Sequence, residues 1–133
     1  MKIKHPGDNI RILIVDDDED ILANLSDILS DVGYETETAS CGEDAILKFE
    51  SCLPSNGHPP YDLCLLDFKM PGIDGVELYQ RMLQHDPRQR AIMVTAYAGE
   101  DGVERALKAG TWKVLHKPVN IGHLLDLIRE AVA

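Results

Sequence analysis

Short, wholly apolar runs alternate along this chain with longer segments in which apolar residues recur every three or four positions. Ile12-Leu13-Ile14-Val15, Leu63-Cys64-Leu65-Leu66 and Ala91-Ile92-Met93-Val94 are the apolar runs. A strand covered on both faces carries such a run, because neither face meets water. Tyr34 to Ala39 alternates and holds two threonines, and Trp112 to His116 is a further short segment. Both read as strands. Between them, Ile21, Leu22, Leu25, Ile28, Leu29 and Val32 follow helical spacing, and Gly33 is a stop signal. Helices are likewise expected over Glu43 to Cys52, Gly75 to Gln84, Gly99 to Lys108 and Ile121 to Val132, with a loop from Leu53 to Pro60.

Five strands alternating with five helices imply parallel pairing with helices on both faces, an α/β doubly wound sheet. The 133 residues suit one domain. Residues 10–133 form that domain, with residues 1–9 as an N-terminal extension. Composition is ordinary for a globular chain, but 23 acidic residues face 13 basic ones, a net charge of −10. That excludes a basic footprint for direct nucleic-acid contact or for anionic membrane. No apolar run approaches the ~18 residues of a membrane span. Residues 1–9 lack the apolar stretch of a secretory signal. Cys41, Cys52 and Cys64 match no metal-finger spacing, so free thiols and a cytoplasmic setting are expected.

In such sheets ligands bind beyond the carboxyl ends of the strands. The first strand ends in Asp16-Asp17-Asp18, the third in Asp67, the fourth in Thr95 and the fifth in Lys117-Pro118. Carboxylates held within a few ångströms repel, and stay ionised when a cation sits among them. Hard oxygen ligands with open positions suit Mg²⁺ together with a phosphate. A lysine and a hydroxyl at the same edge can bind the other phosphoryl oxygens, so the chemistry implied is phosphoryl transfer to a carboxylate. Taken singly, each residue has a plainer role: an acidic helix start, a turn aspartate, a strand-end hydroxyl, a solvated lysine. Asp18 is expected to cap the first helix in any case.

The segments Ile12 to Asp18, Leu65 to Gly75, Val94-Thr95-Ala96 and Lys117-Pro118, in that order, resemble the response-regulator receiver domain of two-component signalling. The resemblance is of the chemotaxis-regulator kind and covers nearly the whole chain. It implies a flavodoxin-like five-stranded sheet in the order 2-1-3-4-5. It makes Asp67 the phosphoacceptor, and places Mg²⁺ on Asp16, Asp17, Asp67 and the backbone carbonyl of Lys69. It gives Thr95 a hydrogen bond to the phosphoryl group, Lys117 an ion pair with it, and Lys117-Pro118 a cis peptide. The implied donor is a phosphohistidine on a sensor histidine kinase or histidine phosphotransfer protein. The output is a downstream protein or a fused output domain, and the family also allows a homodimer through the last-strand face.

Val114 occupies the position, three before the lysine, where such domains usually carry Tyr or Phe. Trp112, two residues earlier and on the same strand face by alternation, offers a substitute, or else simply packs beneath a helix. Lys69 and Tyr97 flank the site, and are expected to set how long an aspartyl phosphate lasts. An enzyme reading competes. Asp16-Asp17-Asp18 after an apolar strand also fits the Asp-x-Asp of haloacid-dehalogenase-like phosphatases, with Asp16 as nucleophile. That reading leaves the Asp67 segment unexplained and meets Asp20 where those enzymes usually have Thr or Val. A third reading is a receiver-like scaffold that takes no phosphate. No output domain is visible after the last helix, which fits either a stand-alone receiver or a piece of a longer regulator or hybrid kinase.

Overall fold

The computed structural model describes residues 9–54, 57–96 and 100–133. Among them, β1 (Arg11–Val15), β2 (Glu35–Ala39), β3 (Leu63–Asp67), β4 (Ala91–Thr95) and β5 (Lys113–His116) form one parallel sheet in the order β2-β1-β3-β4-β5. They alternate with α1 (Glu19–Val32), α2 (Gly42–Ser51), α3 (Gly75–His85), α4 (Glu100–Lys108) and α5 (Ile121–Val132). This is the doubly wound flavodoxin-like order. Each element lies within a residue or two of its expected place.

The apolar runs are buried on both faces, as their composition demands. In β1, Ile12 and Ile14 pack with Leu25 and Leu29 of α1 and Leu124 and Ile128 of α5. Leu13 and Val15 pack on the other side with Phe49 of α2, Met82 of α3 and Ala106 of α4. β2 is an edge strand of sequence Glu-Thr-Glu-Thr-Ala, only its last residue buried. Its Thr36 hydroxyl lies 2.8 Å from that of Ser26 and 3.1 Å from that of Ser30, so the edge is polar but paired.

Local chemistry sets the helix ends. The Asp18 carboxylate accepts from the amides of Asp20 and Ile21, and so caps α1. Asp74 and Asn120 do the same for α3 and α5. Gly33 closes α1 at φ 109°, a left-handed conformation that glycine adopts without a Cβ penalty.

Two expectations change. Trp112 precedes β5, where strand alternation does not hold, and packs in the α1/α5 layer, whereas Val114 packs in the α2/α3/α4 layer. The two do not share a face. Trp112 is a packed side chain flanked by Arg90 and Lys113, each 5.4 Å from its ring centre. The other concerns the connection before β3, a loop as expected but one tucked inward at its end: Pro59 and Pro60 are buried and Tyr61 is wholly so. The Tyr61 hydroxyl donates to Glu37 at 2.9 Å, and Arg11 lies 4.8 Å over its ring.

The sheet's carboxyl edge is held closely at β3. The Gly75 amide donates to the Phe68 carbonyl at 2.8 Å, and a Cβ on Gly75 would collide with the Asp67 carbonyl. Gly75→Ala is therefore expected to cost about 1–3 kcal/mol, read as a lower urea midpoint at unchanged m-value. A midpoint equal to wild type would show that the end of β3 is free to shift.

Candidate functional site

The topology reverses at β1, which has β2 on one side and β3 on the other, and a crevice opens there at the carboxyl ends. A basin of about 620 Å³ lies over it, lined by Asp16, Asp17, Asp18, Asp67, Lys69, Ala96 and Lys117. Asp16 follows the last residue of β1, and its amide donates to the Ala39 carbonyl at 3.2 Å. Asp67 is the last residue of β3, and the next amide, of Phe68, donates to the Val94 carbonyl at 3.0 Å. Backbone pairing thus delivers both carboxylates to one place from positions about fifty residues apart in sequence.

Asp16 and Asp67 are buried, at 4% and 5% exposure, and Asp17 is exposed. One oxygen from each of the three lies within 4.8 Å of the others. The Lys117 ammonium donates to Asp16 Oδ2 at 2.8 Å and stands 3.4 Å from Asp67 Oδ1. The Asp16 Oδ1 atom accepts from the Asp18 amide at 2.9 Å, which fixes its orientation. Lys117 is anchored in turn: its amide donates to the Thr95 carbonyl at 2.8 Å, and its bond to Pro118 is cis.

Burial pushes the Asp67 carboxyl up to about 7, Asp16 and Asp17 add to the rise, and Lys117 opposes it. The Lys117 ammonium is held above its usual value by Asp16 and Asp67, against the opposing effect of burial. One lysine therefore does not balance the carboxylates. A compact, hard, oxygen-seeking cation fits the deficit, and the donor set is of the kind Mg²⁺ takes.

The structure brings together Asp16, Asp17, Asp67 and Lys117, with Lys69 on the basin wall. Thr95 ends β4 and is 2% exposed. Val114 lies a layer below and Trp112 on the other side of the sheet. Tyr97 lies outside the described residues. Sequence reasoning passed over Ala96, which lines the basin, and Arg105 of α4, which pairs with Asp74 at 3.2 Å. Ala96 stood in the quoted Val94-Thr95-Ala96 segment. Arg105 gave no signal, because its partner lies 31 residues away on another element.

A doubly wound sheet with clustered carboxylates and a lysine at its carboxyl edge defines a flavodoxin-like domain with a charged site at its switch point. The model of the response regulator receiver domain matches residues 12–129, and the chain belongs to that family. It is 36% identical over 117 residues to a response regulator receiver protein of Anaeromyxobacter, covering 88% of this chain and 46% of that one. Sporulation initiation phosphotransferase F of Bacillus subtilis is 34% identical over 122 residues, 92% of this chain and 93% of that one. Among solved structures, a CheY-like receiver domain protein of Methanospirillum hungatei superposes with a TM-score of 0.85 at 36% identity, covering 94% of each chain. The response regulator TrrA of Thermotoga maritima, solved with Mg²⁺ and beryllium fluoride, gives 0.78 at 33% identity, covering 92% of this chain and 98% of that one. The chain spans less than half the length of the Anaeromyxobacter protein and of several other curated relatives. Among the described residues, no helix is long and apolar enough to cross a membrane.

A carboxyl whose folded value is raised costs stability once it ionises, from its unfolded value near 4 up to about 7, and the cost stays constant above that. The magnesium-free protein should therefore lose stability relative to Asp67→Asn as pH rises from about 4 to about 7. At pH 8 the variant is expected to be more stable by about 1–3 kcal/mol, and at pH 4 nearly equal to wild type. Thermal melts in EDTA across that range check it. A difference independent of pH would contradict the site's charge imbalance.

Proposed function

We propose that Asp67 accepts a phosphoryl group from a phosphohistidine on a sensor histidine kinase or histidine phosphotransfer protein, with Mg²⁺ bound by Asp16, Asp17, Asp67 and the Lys69 backbone carbonyl. One observation carries this reading. Three carboxylates converge within 4.8 Å while Lys117 reaches two of them.

An Asp67 oxygen attacks phosphorus in line, the P–N bond breaks, and the imidazole leaves with a proton. The donor bond is already reactive, so positioning and charge neutralisation supply most of the catalysis. The cation, when bound, screens the phosphoryl oxygens from the carboxylates. Lys117, 3.4 Å from Asp67, exchanges that contact for a phosphoryl oxygen, and Thr95 donates its hydroxyl to another. Water attack at phosphorus later releases inorganic phosphate and restores the carboxylate. The new charge, roughly −1.5 to −2 by analogy with phosphate esters, is the signal. It is read by a downstream protein or a fused output domain, in a unit formed by residues 10–133. The solved relative with Mg²⁺ and beryllium fluoride supports the metal and the phosphate-like ligand.

The phosphatase reading would put the covalent phosphate on Asp16, whose Oδ2 is already engaged by Lys117 and Oδ1 by the Asp18 amide. The geometry favours Asp67. Acetyl phosphate with Mg²⁺ should therefore add one phosphoryl mass to the peptide that carries Asp67. EDTA and Asp67→Asn are expected to abolish it, and Lys117→Ala to slow it by about 10²-fold. Label on Asp16 would support a phosphatase instead, and no label under any donor would support a scaffold.

A further inference from the structure

Phe68 immediately follows Asp67, and both its backbone groups are tied. Its amide donates to Val94 at 3.0 Å and its carbonyl accepts from Gly75 at 2.8 Å. The side chain is 5% exposed and faces α4. A Cβ on Gly102 of α4 would strike the Phe68 ring, so the helix backbone sits directly against it. One turn further along α4, the Arg105 guanidinium lies 5.5 Å over the same ring. Its Nη2 pairs with Asp74 Oδ2 at 3.2 Å, while the other oxygen of Asp74 caps α3. One side chain of α4 thus grips both ends of the loop between the acceptor and α3.

We propose that Arg105, stacked on Phe68 and paired with Asp74, is the positioning residue that couples phosphorylation at Asp67 to the placement of α4. This rests on the reading of Asp67 as the acceptor. The phosphoryl group engages Thr95, at the end of β4, just before the stretch that leads into α4. Phe68 cannot follow, because two backbone bonds fix it to the sheet and to α3. The Phe68–α4 contact is therefore what differs between the two states. An exposed ion pair and a cation–π contact are each weak. That weakness suits a switch, since a strong contact would hold one state whatever the charge on Asp67. Linkage fixes the sign: a contact that phosphorylation loosens must oppose phosphorylation, and removing it must favour the phosphate-bound state to the same extent.

Two variants loosen the contact by unlike means. Arg105→Gln removes the charge and weakens the stacking. Gly102→Ala forces helix and ring apart while raising helix propensity, so a shared effect cannot come from fraying of α4. Beryllofluoride in saturating Mg²⁺ is the probe, titrated calorimetrically into the full chain. Amide exchange over residues 100–108 is followed alongside, with α1 as the reference. Both variants are expected to bind beryllofluoride about two- to fivefold more tightly than wild type. Arg105→Gln should exchange faster in α4 without ligand and respond less when ligand is added, and Arg105→Lys should fall between. Unchanged affinity in both variants, or an α4 whose exchange ignores beryllofluoride in wild type, would overturn the coupling. Failure of wild type to bind beryllofluoride at all would overturn the Asp67 reading first. Exchange of ligand-free Arg105→Gln against wild type would then still decide whether Arg105 holds α4.

Discussion

Two buried carboxylates share one ammonium, and much of this molecule is arranged around that shortage of positive charge. Burial and the neighbouring Asp16 make Asp67 costly to ionise where it sits, and Lys117 offsets only part of the cost. The remainder is a deficit of positive charge that a bound cation would fill. Apolar runs on both faces of the sheet make the burial. Parallel pairing of β1 with β3 makes the juxtaposition, and the β5 end supplies the lysine. Had the carboxylates been exposed, water would have screened them, and the raised Asp67 value would not follow.

The central strands were legible because burial on both faces leaves no room for polar residues. Helix ends were legible where a side chain performs the capping, as at Asp18, or where a left-handed turn demands glycine, as at Gly33. The edge strand β2 shows only an alternating polar pattern, since one long side has no neighbour and its threonines pair with serines of α1. The candidate site was legible for a topological reason: every parallel strand delivers its C-terminal residue to the same rim, so Asp16, Asp67, Thr95 and Lys117 could be gathered before any coordinate was known.

What the sequence hid depends on long-range placement. Trp112 was put on the face of Val114 by alternation, but it stands just before β5, beyond the extended segment that enforces the period. Its ring packs toward α5 instead. Arg105 reads as one more charged residue on an amphipathic helix. Only the third dimension sets it over Phe68 and beside Asp74. The same placement ties α4 to the acceptor loop through one side chain. Val114 packs in the α2/α3/α4 layer and is shorter than the Tyr or Phe usual at its position.

The most direct test of a shared cation is anomalous diffraction from crystals grown with Mn²⁺ in place of Mg²⁺. One ion is expected among Asp16, Asp17 and Asp67, in direct or water-mediated contact with their oxygens, with Lys117 displaced from Asp67. Strong binding of Mn²⁺ elsewhere, or none with the three carboxylates still converging, would contradict the charge deficit on which the assignment rests.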